Sequence, residues 1–407
     1  MKLVFISAAF PPMRAGEADH AYHQCHYLAK QGIEVHVLTS QTNQWTQETP
    51  FAVHPIMRDW SWKDLPRLVR FLKRARPDAV LLFYIGWVYH EHPMITFAAT
   101  ICRLIIRGKP FASMLAYPSG SNPGRFSPLS RVVRKLVQAW ASPMDSSYEF
   151  GTLLRDSDRI VVMSHGHCAM LADHYSNIEK KSVLVPPPPL LTMAAKADDE
   201  TRTATRAKLG LSPLDFAIVY FGFIYPPKGI ETVIHAFHRV SRRFPQARLV
   251  LVGGVIAREF PGRPRFAEEM RQLPKELGID QQVIWTGEYE TNSDEASRYL
   301  YAVDANAFAH ELGVAMNNSS FAACAAHGLP IVATKGATLD EQFIDQHNVL
   351  LCPPKDPDAM AAALGRLIED RSLRERLREG SRILAAEWFS WDKATDRIVQ
   401  TLTRAGD

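Results

Sequence analysis

Short apolar runs alternate with helical segments along almost the whole chain, and this alternation constrains the fold more than any other feature. The runs KLVFIS, EVHVLTS and AVLLFYI are continuously apolar or nearly so, which is typical of strands buried on both faces of a parallel sheet. The segment between the first two runs places Ala18, Ala21, Cys25 and Leu28 on one face of a helix. Strands that alternate with helices predict a parallel sheet covered by helices on both sides.

The pattern occurs twice and predicts two doubly wound α/β domains. The first series continues through KPFASMLAY, RIVVMS and SVLVPPP, and the second contains AIVYFGF, ARLVLVG, QVIWTG, DANAFA, LPIVAT and NVLLC. The prolines 186–189 can extend neither a helix nor a sheet, so they mark the boundary. We therefore predict one domain at residues 1–188, completed by a terminal helix at 389–407, and a second at 189–388.

Positive charge is concentrated in the N-terminal half of the chain. Residues 58–76 carry seven basic and two acidic side chains, and residues 103–135 carry seven basic and no acidic ones. The net charge of the whole chain is only +4, so the remainder is acidic. A basic face can recruit anionic ligands or an anionic membrane surface, although a solvated helix face has the same composition. We expect no nucleic-acid partner.

Three features of the sequence indicate in which cellular compartment the protein is expected. The opening MKLVFISAAF is followed by FPP and a charged helix rather than by a cleavage site, so we interpret it as a buried first strand. The longest apolar run is too short to span a bilayer. The five cysteines show no paired spacing, which is typical of free thiols. We expect a cytoplasmic protein that contacts the inner face of the membrane if its basic face binds lipid.

Four loops that follow predicted strands contain groups suited to a phosphorylated ligand. Ligands of parallel sheets bind beyond the carboxyl ends of the strands. Gly16 opens a helix, Gly222 ends a strand, and Lys228 beside the next helix start offers a point charge for phosphate. Each feature also occurs in turns that bind nothing. The four loops are AAFPPMRAGEAD, YFGFIYPPKGIE, VGGVIARE and ELGVAMNNSS.

The fourth loop places four hydrogen-bonding side chains, residues 317–320, directly before a short helix of small residues. Serine and asparagine are common helix caps, which is one interpretation. The other is an anion site, because the free N–H groups and the dipole of a helix start attract phosphate. Both interpretations remain open from the sequence.

The order of these loops resembles the retaining glycosyltransferases of family 4, which have the GT-B fold and use nucleotide sugars. The similar segments are FPP…AGEA…LAKQGIEVHVLTS, FGFIYPPKGIETVIHAF, HGLPIVATKGATLDEQFIDQHNVLLCPPKDPDAMAAAL and FSWDKATDRIVQTL. They extend over essentially the whole chain. The resemblance implies an N-terminal domain that binds the acceptor, a C-terminal domain that binds the donor, and an active site in the cleft between them.

The resemblance and the loops together assign site residues. Lys228 and Glu311 are the expected catalytic residues, which stabilise the departing diphosphate and position hydroxyl groups. Glu17, Tyr84 and Tyr117 are expected to bind the acceptor. The remaining expected donor-binding residues are Gly16, Gly222, Gly253, Gly287, Gly313, Asn317, Asn318, Ser319 and Ser320.

The chain departs from the family pattern at the donor site. Phe223 stands where the family usually has an arginine, and Ala323 stands where it has a second glutamate. Glu311 also lies farther from Gly328 than the family spacing. Without a cationic side chain at position 223, the side chains of residues 317–320 and the helix N–H groups are expected to hold the diphosphate instead.

The implied co-substrate is a UDP- or GDP-sugar, with no other cofactor and no metal. The implied acceptor is a glycan, a lipid-linked molecule or a small molecule. Two alternatives remain open, a GT-B sugar-nucleotide epimerase and a nucleotide-sugar-binding protein whose catalysis has decayed. A dinucleotide-dependent oxidoreductase is disfavoured because no G-x-G-x-x-G opens either sheet.

Overall fold

The computed structural model of the chain consists of two compact units. Unit 1 comprises Met1–Pro186 and Trp391–Asp407, and unit 2 comprises Pro187–Ser390. The division falls within the proline run, and the end of the chain belongs to the first unit. The residues that the structure describes are 1–13, 15–43, 45, 48–116, 132, 150–195, 198–254, 262–290, 293–337 and 339–403.

Unit 1 contains a parallel sheet of seven strands among its described residues, in the order β3-β2-β1-β4-β5-β6-β7. The apolar runs form the strands because both faces of the sheet are covered, and side chains such as Leu3, Phe5 and Leu81 are fully buried. The strands are β1 (Lys2–Ile6), β2 (Glu34–Ser40), β3 (Ala52–Met57), β4 (Ala79–Tyr84), β5 (Phe111–Leu115), β6 (Arg159–Val162) and β7 (Ser182–Leu184).

The helices of unit 1 include the last helix of the chain. Its Ala394, Ile398 and Leu402 are buried in the same hydrophobic core as the first sheet. The side chain of Gln31 donates to Asp396 at 2.8 Å, which ties this helix to the first one. The described helices are α1 (Gly16–Lys30), α2 (Leu65–Ala75), α3 (Ala98–Ile105), α4 (Leu153–Asp156), α5 (His165–Ala172), α6 (Ile178–Lys181) and α14 (Trp391–Thr403).

Unit 2 contains a parallel sheet of six strands among its described residues, in the order β10-β9-β8-β11-β12-β13. The strands are β8 (Phe216–Phe221), β9 (Ala247–Val252), β10 (Val283–Gly287), β11 (Ala305–Phe308), β12 (Ile331–Thr334) and β13 (Leu350–Cys352). The helices are α7 (Asp199–Lys208), α8 (Ile230–Arg243), α9 (Phe266–Glu276), α10 (Glu295–Ala302), α11 (Ser319–Ala326), α12 (Pro357–Glu369) and α13 (Arg371–Trp388).

Short 3-10 turns complete the described elements, and one of them forms part of the site discussed below. These turns are Trp62–Asp64, Gly86–Tyr89, Pro93–Phe97, Pro226–Lys228 and Asp280–Gln282. Within the described ranges, no helix is both long enough and apolar enough to cross a membrane.

The predicted fold class is confirmed, because both sheets are parallel and doubly wound. One strand, β3, was absent from the sequence prediction. It lies at the edge of its sheet and contains Pro55, which cannot donate a hydrogen bond to a neighbouring strand and is tolerated mainly at sheet edges. Its residues are mostly half-buried rather than fully buried, so its sequence lacks the continuous apolar run of the inner strands.

Candidate functional site

The sheet order of unit 2 fixes where a ligand would bind. Strand β8 lies between β9 and β11, so the chain leaves β8 toward one side of the sheet and later returns to its other side at β11. Such a switch point leaves a crevice beyond the carboxyl ends of the two strands. The residues that follow β8 and β11 therefore form the candidate site, which we call the switch-point site.

Two segments of this site are in direct contact. Gly229 has φ of +70°, and a methyl group placed on it would lie 1.9 Å from the Ala309 carbonyl oxygen. The backbone N–H of Glu311 donates to the carbonyl oxygen of Pro227 at 2.9 Å. The 226–229 turn and the 309–311 segment therefore hold each other in place, and only glycine fits at position 229.

Lys228 is the cation that this contact positions. It ends the 3-10 turn Pro226–Lys228, and its Nζ lies 5.6 Å from the centroid of the Tyr225 ring. Removal of the side chain from water lowers the pKa of Lys228 from 10.5 to about 8. The site thus holds an ammonium group whose charge is poorly solvated, and an anionic ligand would stabilise that charge.

His310 is a residue of this site that the sequence analysis missed. It lies two residues after the end of β11 and is close enough to Lys228 for the lysine charge to act on it. Burial and then the positive charge of Lys228 lower the pKa of His310 to about 4, so the ring is neutral at physiological pH. A single histidine after a strand has no sequence pattern that would have identified it.

Helix α11 contributes its N-terminus to the same site. Asn318 is the N-cap residue, but its side chain accepts no hydrogen bond from the first turn of the helix. Its Oδ1 instead accepts from the backbone N–H of Ala315 at 2.8 Å. A methyl group on Gly222 would lie 3.3 Å from Cβ of Ser320, so the end of β8 packs against this helix start.

The other predicted glycines line the same edge of the sheet. A methyl group on Gly253 would lie 2.3 Å from the Gly222 carbonyl oxygen, and the N–H of Gly253 donates to the carbonyl oxygen of Gly287 at 3.2 Å. Gly222 and Gly253, which follow β8 and β9, and Gly287, which ends β10, therefore lie side by side. Gly313 is turned toward β12, where a methyl group on it would lie 2.1 Å from the Gly336 backbone nitrogen.

The carboxylate of Glu311 forms an ion pair. Its Oε2 lies 2.9 Å from Nζ of Lys355, which follows β13. Phe223, at the position where the family has an arginine, exposes 48% of its surface. Ala323, at the position of the second glutamate, is fully buried inside α11. The structure thus offers no substitute carboxylate on the helix itself.

The N-terminal residues of the prediction lie at the corresponding edge of unit 1. Its sheet order places the switch point between β1 and β4. Gly16 begins α1, and burial raises the pKa of the adjacent Glu17 carboxyl. Tyr84 ends β4 but is only 6% exposed and stacks on Tyr89 with ring centroids 5.9 Å apart. Tyr117 lies outside the described residues.

The groups at the switch-point site are of the types that suit an anionic ligand. It combines one partly desolvated ammonium group, a helix start whose N-cap side chain leaves the first turn uncapped, and glycines that permit close approach of a ligand. No three histidine, cysteine, aspartate or glutamate side chains of the described residues are grouped as a metal site. That the protein works without a metal remains a prediction.

Both halves of the chain match family profiles. The family described as glycosyltransferase family 4 matches residues 15–188, and the family described as glycosyl transferases group 1 matches residues 215–370. The chain is 27% identical over 258 residues to the D-inositol 3-phosphate glycosyltransferase of Segniliparus rotundus, covering 63% of this chain and 54% of that protein. The same enzyme of Jonesia denitrificans is 30% identical over 234 residues, covering 54% and 50%.

The chain thus spans about half the length of the curated relatives that it matches. Solved structures are similar over nearly all of it. HepE of Anabaena, in complex with UDP and glucose, has a TM-score of 0.69 at 16% identity and covers 99% of this chain and 100% of its own. A glycosyltransferase of Rickettsia africae has a TM-score of 0.73 at 12% identity, with 99% and 98% covered.

The observed sheets and the matched family profiles indicate the same fold. The seven-stranded and six-stranded parallel sheets are those of the GT-B structures, as the sequence predicted. The two family profiles follow one another along the chain in the order that the loops suggested. The chain therefore belongs to the family 4 glycosyltransferases of the GT-B fold.

Proposed function

We propose that this chain is a retaining glycosyltransferase that moves a sugar from a nucleotide sugar to an acceptor hydroxyl. The observation that carries the proposal is that Lys228 and the start of α11, whose N-cap side chain makes no capping hydrogen bond, both follow strands at one switch point. The diphosphate of a nucleotide sugar is a ligand that such a cation and such backbone N–H donors suit. The family membership supports the same activity.

The residues of unit 2 would act mainly on the leaving group. The bond between the anomeric carbon and the phosphate oxygen breaks as the acceptor oxygen bonds to that carbon, and the acceptor proton passes to an oxygen of the departing diphosphate. Lys228 and the N–H groups of α11 stabilise the charge that develops on the diphosphate. Glu311, fixed through its N–H and its ion pair with Lys355, positions sugar or ribose hydroxyls.

The proposed donor is a UDP- or GDP-sugar. Support for UDP comes from the similar Anabaena structure, which was solved with UDP and glucose. Support for an anionic acceptor comes from the curated relatives, which are named for an inositol phosphate, and from the basic segments of unit 1. A glycan, lipid-linked or small-molecule acceptor with negative charge would fit.

We also propose that unit 1 contacts an anionic membrane surface in the cytoplasm. Helix α2 presents exposed Arg70, Lys73 and Arg74. Nearby, Trp62 is 45% exposed and packs on Phe97 with centroids 5.8 Å apart, an arrangement that suits an interfacial anchor. The second basic segment lies largely outside the described residues.

A sedimentation experiment tests the membrane contact. We expect the protein to bind vesicles of phosphatidylglycerol but not of phosphatidylcholine, and to be released by salt, because exposed charges are screened beyond ~8–10 Å. The triple variant Arg70→Gln, Lys73→Gln and Arg74→Gln should bind less. Binding that is insensitive to both salt and the variant would show that this face is merely solvated.

Thermal shift and turnover together test the enzymatic proposal. UDP-, GDP-, dTDP- and ADP-sugars are screened for a rise in melting temperature, because a ligand of the native state stabilises it. The best donor is then incubated with and without candidate phosphorylated acceptors, in EDTA. Transfer that needs the acceptor supports the proposal, whereas epimerisation of the donor alone or a strict Mg²⁺ requirement would count against it.

A further inference from the structure

His310 is held in one orientation by hydrogen bonds on two sides. Its carbonyl oxygen accepts from Thr334 Oγ1 at 2.6 Å and from the N–H of Gly313 at 2.8 Å. Its ring nitrogen Nδ1 lies 3.3 Å from the backbone nitrogen of Leu312. The ring therefore cannot turn without breaking a hydrogen bond to its own loop.

These contacts determine which ring nitrogen bears the proton. The N–H of Leu312 can only donate, so Nδ1 must accept, and the neutral ring carries its hydrogen on Nε2. Among the residues that the structure describes, no protein atom accepts a hydrogen bond from Nε2. The ring thus offers one unused, oriented N–H donor beside Lys228 at the switch-point site.

A neutral donor at this position adds no second positive charge beside Lys228 in the unliganded protein. Lys228 is already partly desolvated, and an added positive charge next to it would raise the cost of keeping the ammonium group charged. The exposed side chain of Phe223 can donate nothing to a phosphate oxygen, although its position usually carries an arginine in the family. An imidazole N–H supplies a donor without the repulsion.

We propose that Nε2–H of His310 donates a hydrogen bond to the diphosphate of the bound nucleotide sugar, beside Lys228. This proposal rests on the proposed function. His310 is then a donor-binding residue that compensates in part for the phenylalanine at position 223. Its hydrogen bond with the Leu312 N–H serves to aim the ring. The alternative is that His310 only shapes the loop through that Leu312 hydrogen bond.

Two conservative variants separate these roles. In His310→Gln the side-chain amide places an N–H donor near the position of Nε2 but offers no acceptor to Leu312. In His310→Asn the amide oxygen can accept from Leu312 in place of Nδ1, but no donor reaches the position of Nε2. Melting temperature is measured for both, so that loss of folding is recognised separately.

The affinity for UDP and for uridine is measured by calorimetry for the wild type and both variants. We expect His310→Asn to weaken UDP binding about 10-fold or more, since hydrogen bonds to charged groups are strong, and to leave uridine binding unchanged. We expect His310→Gln to keep most of the UDP affinity. The inference is overturned if His310→Asn binds UDP like the wild type, or if both variants lose UDP and uridine affinity equally. Failure of the wild type to bind any nucleoside diphosphate would instead refute the proposed function.

Discussion

Lys228 owes its chemistry to its surroundings. An exposed lysine stays charged far above neutral pH, whereas burial lowers the pKa of Lys228 to about 8. The charge is therefore present below pH 8 and lost as the pH rises through that value. Since the phosphate contact depends on the charge, ligand affinity should follow the same titration.

We predict that affinity for the nucleoside diphosphate falls progressively between about pH 7 and about pH 9.5, on either side of the Lys228 pKa of about 8. The variant Lys228→Arg should bind with little change over that range, because a guanidinium group remains protonated. Calorimetric titrations at several pH values provide the measurement. Parallel pH profiles for the two proteins would exclude Lys228 as the titrating group.

Among single residues, the sequence identified those whose type and position relative to a strand were informative. Lys228 was found because it follows a strand and a proline turn directly. His310 and the Glu311–Lys355 pair were not found, because their roles depend on contacts between segments far apart in the chain. Whether the predicted site residues bind a ligand stays a prediction.

Among the elements, the 226–229 turn depends on one glycine. Gly229→Ala would place a methyl group 1.9 Å from the Ala309 carbonyl oxygen and force a side chain into φ of +70°. We predict a loss of stability of more than ~1 kcal/mol and a larger loss of nucleotide affinity, because the 309–311 segment must move.

Gly210→Ala is a matched control for this prediction. It also has φ of +70°, but a methyl group on it would meet no atom within 4 Å. It should cost stability through its backbone conformation alone and leave nucleotide affinity unchanged. Chemical denaturation and calorimetry give both quantities. Equal effects of the two variants on affinity would contradict the role assigned to the 226–229 turn.

The start of α11 gives a second prediction about a structural element. The double variant Ser319→Ala and Ser320→Ala should lower kcat/KM about 10-fold, because each hydroxyl is a potential donor to the diphosphate. Melting temperature should change little, since the N-cap residue of this helix is Asn318 and neither substituted serine occupies that position.

A true serine cap provides the comparison. Ser164 caps α5, and its Oγ accepts from the N–H of His167 at 3.2 Å. Ser164→Ala should cost ~0.5–2 kcal/mol of stability and leave affinity for the nucleoside diphosphate intact. A fall in melting temperature for the double variant, with unchanged nucleotide affinity, would show that Ser319 and Ser320 have a structural role.

The elements themselves were predictable to different degrees. Inner strands were identified because burial on both faces requires apolar runs, and β3 was missed because an edge strand need not have one. The sequence placed residues 317–320 before the helix, whereas α11 begins at Ser319 with Asn318 as its N-cap, because the start of a helix depends on backbone geometry that sequence does not specify.

For the whole molecule, the return of the chain to unit 1 places α14 against two histidines of α1, the buried His20 and the half-buried His23. His20 and His23 lie 5.6 and 5.5 Å from the Trp391 ring, measured between centroids. Their Nε2 atoms are buried without a hydrogen-bond partner among the described residues. Burial lowers the pKa of His20 to about 3 and of His23 to about 4.

We predict that the protein loses stability as the pH falls from about 7 to about 5, because the pKa of both histidines lies below this range in the folded chain. Below about pH 6.5 the unfolded chain binds protons at these histidines and the folded chain does not, which costs up to ~1.4 kcal/mol per pH unit for each. His20→Gln should reduce this acid sensitivity, while the exposed His165→Gln should not. Melting temperatures across this pH range that fall equally for all three proteins would contradict the assignment.

The sequence was most informative about the architecture of the whole molecule. The repeated alternation of strands and helices predicted two parallel sheets, and the order of the loops indicated the family. It could not indicate that the 226–229 turn contacts the 309–311 segment, because that contact depends on the side-by-side placement of β8 and β11.

The central claim is that the switch-point site of unit 2 holds the diphosphate of a donor, and one binding cycle tests it most directly. Affinities for UDP and uridine are compared in the wild type, in Lys228→Met and in Lys275→Met, whose exposed lysine lies in the last turn of α9. We predict that Lys228→Met weakens UDP binding by ~1.5–3 kcal/mol while uridine binding is unchanged, and that Lys275→Met alters neither. Unchanged UDP affinity in Lys228→Met, or an equal loss for uridine, would contradict the claim.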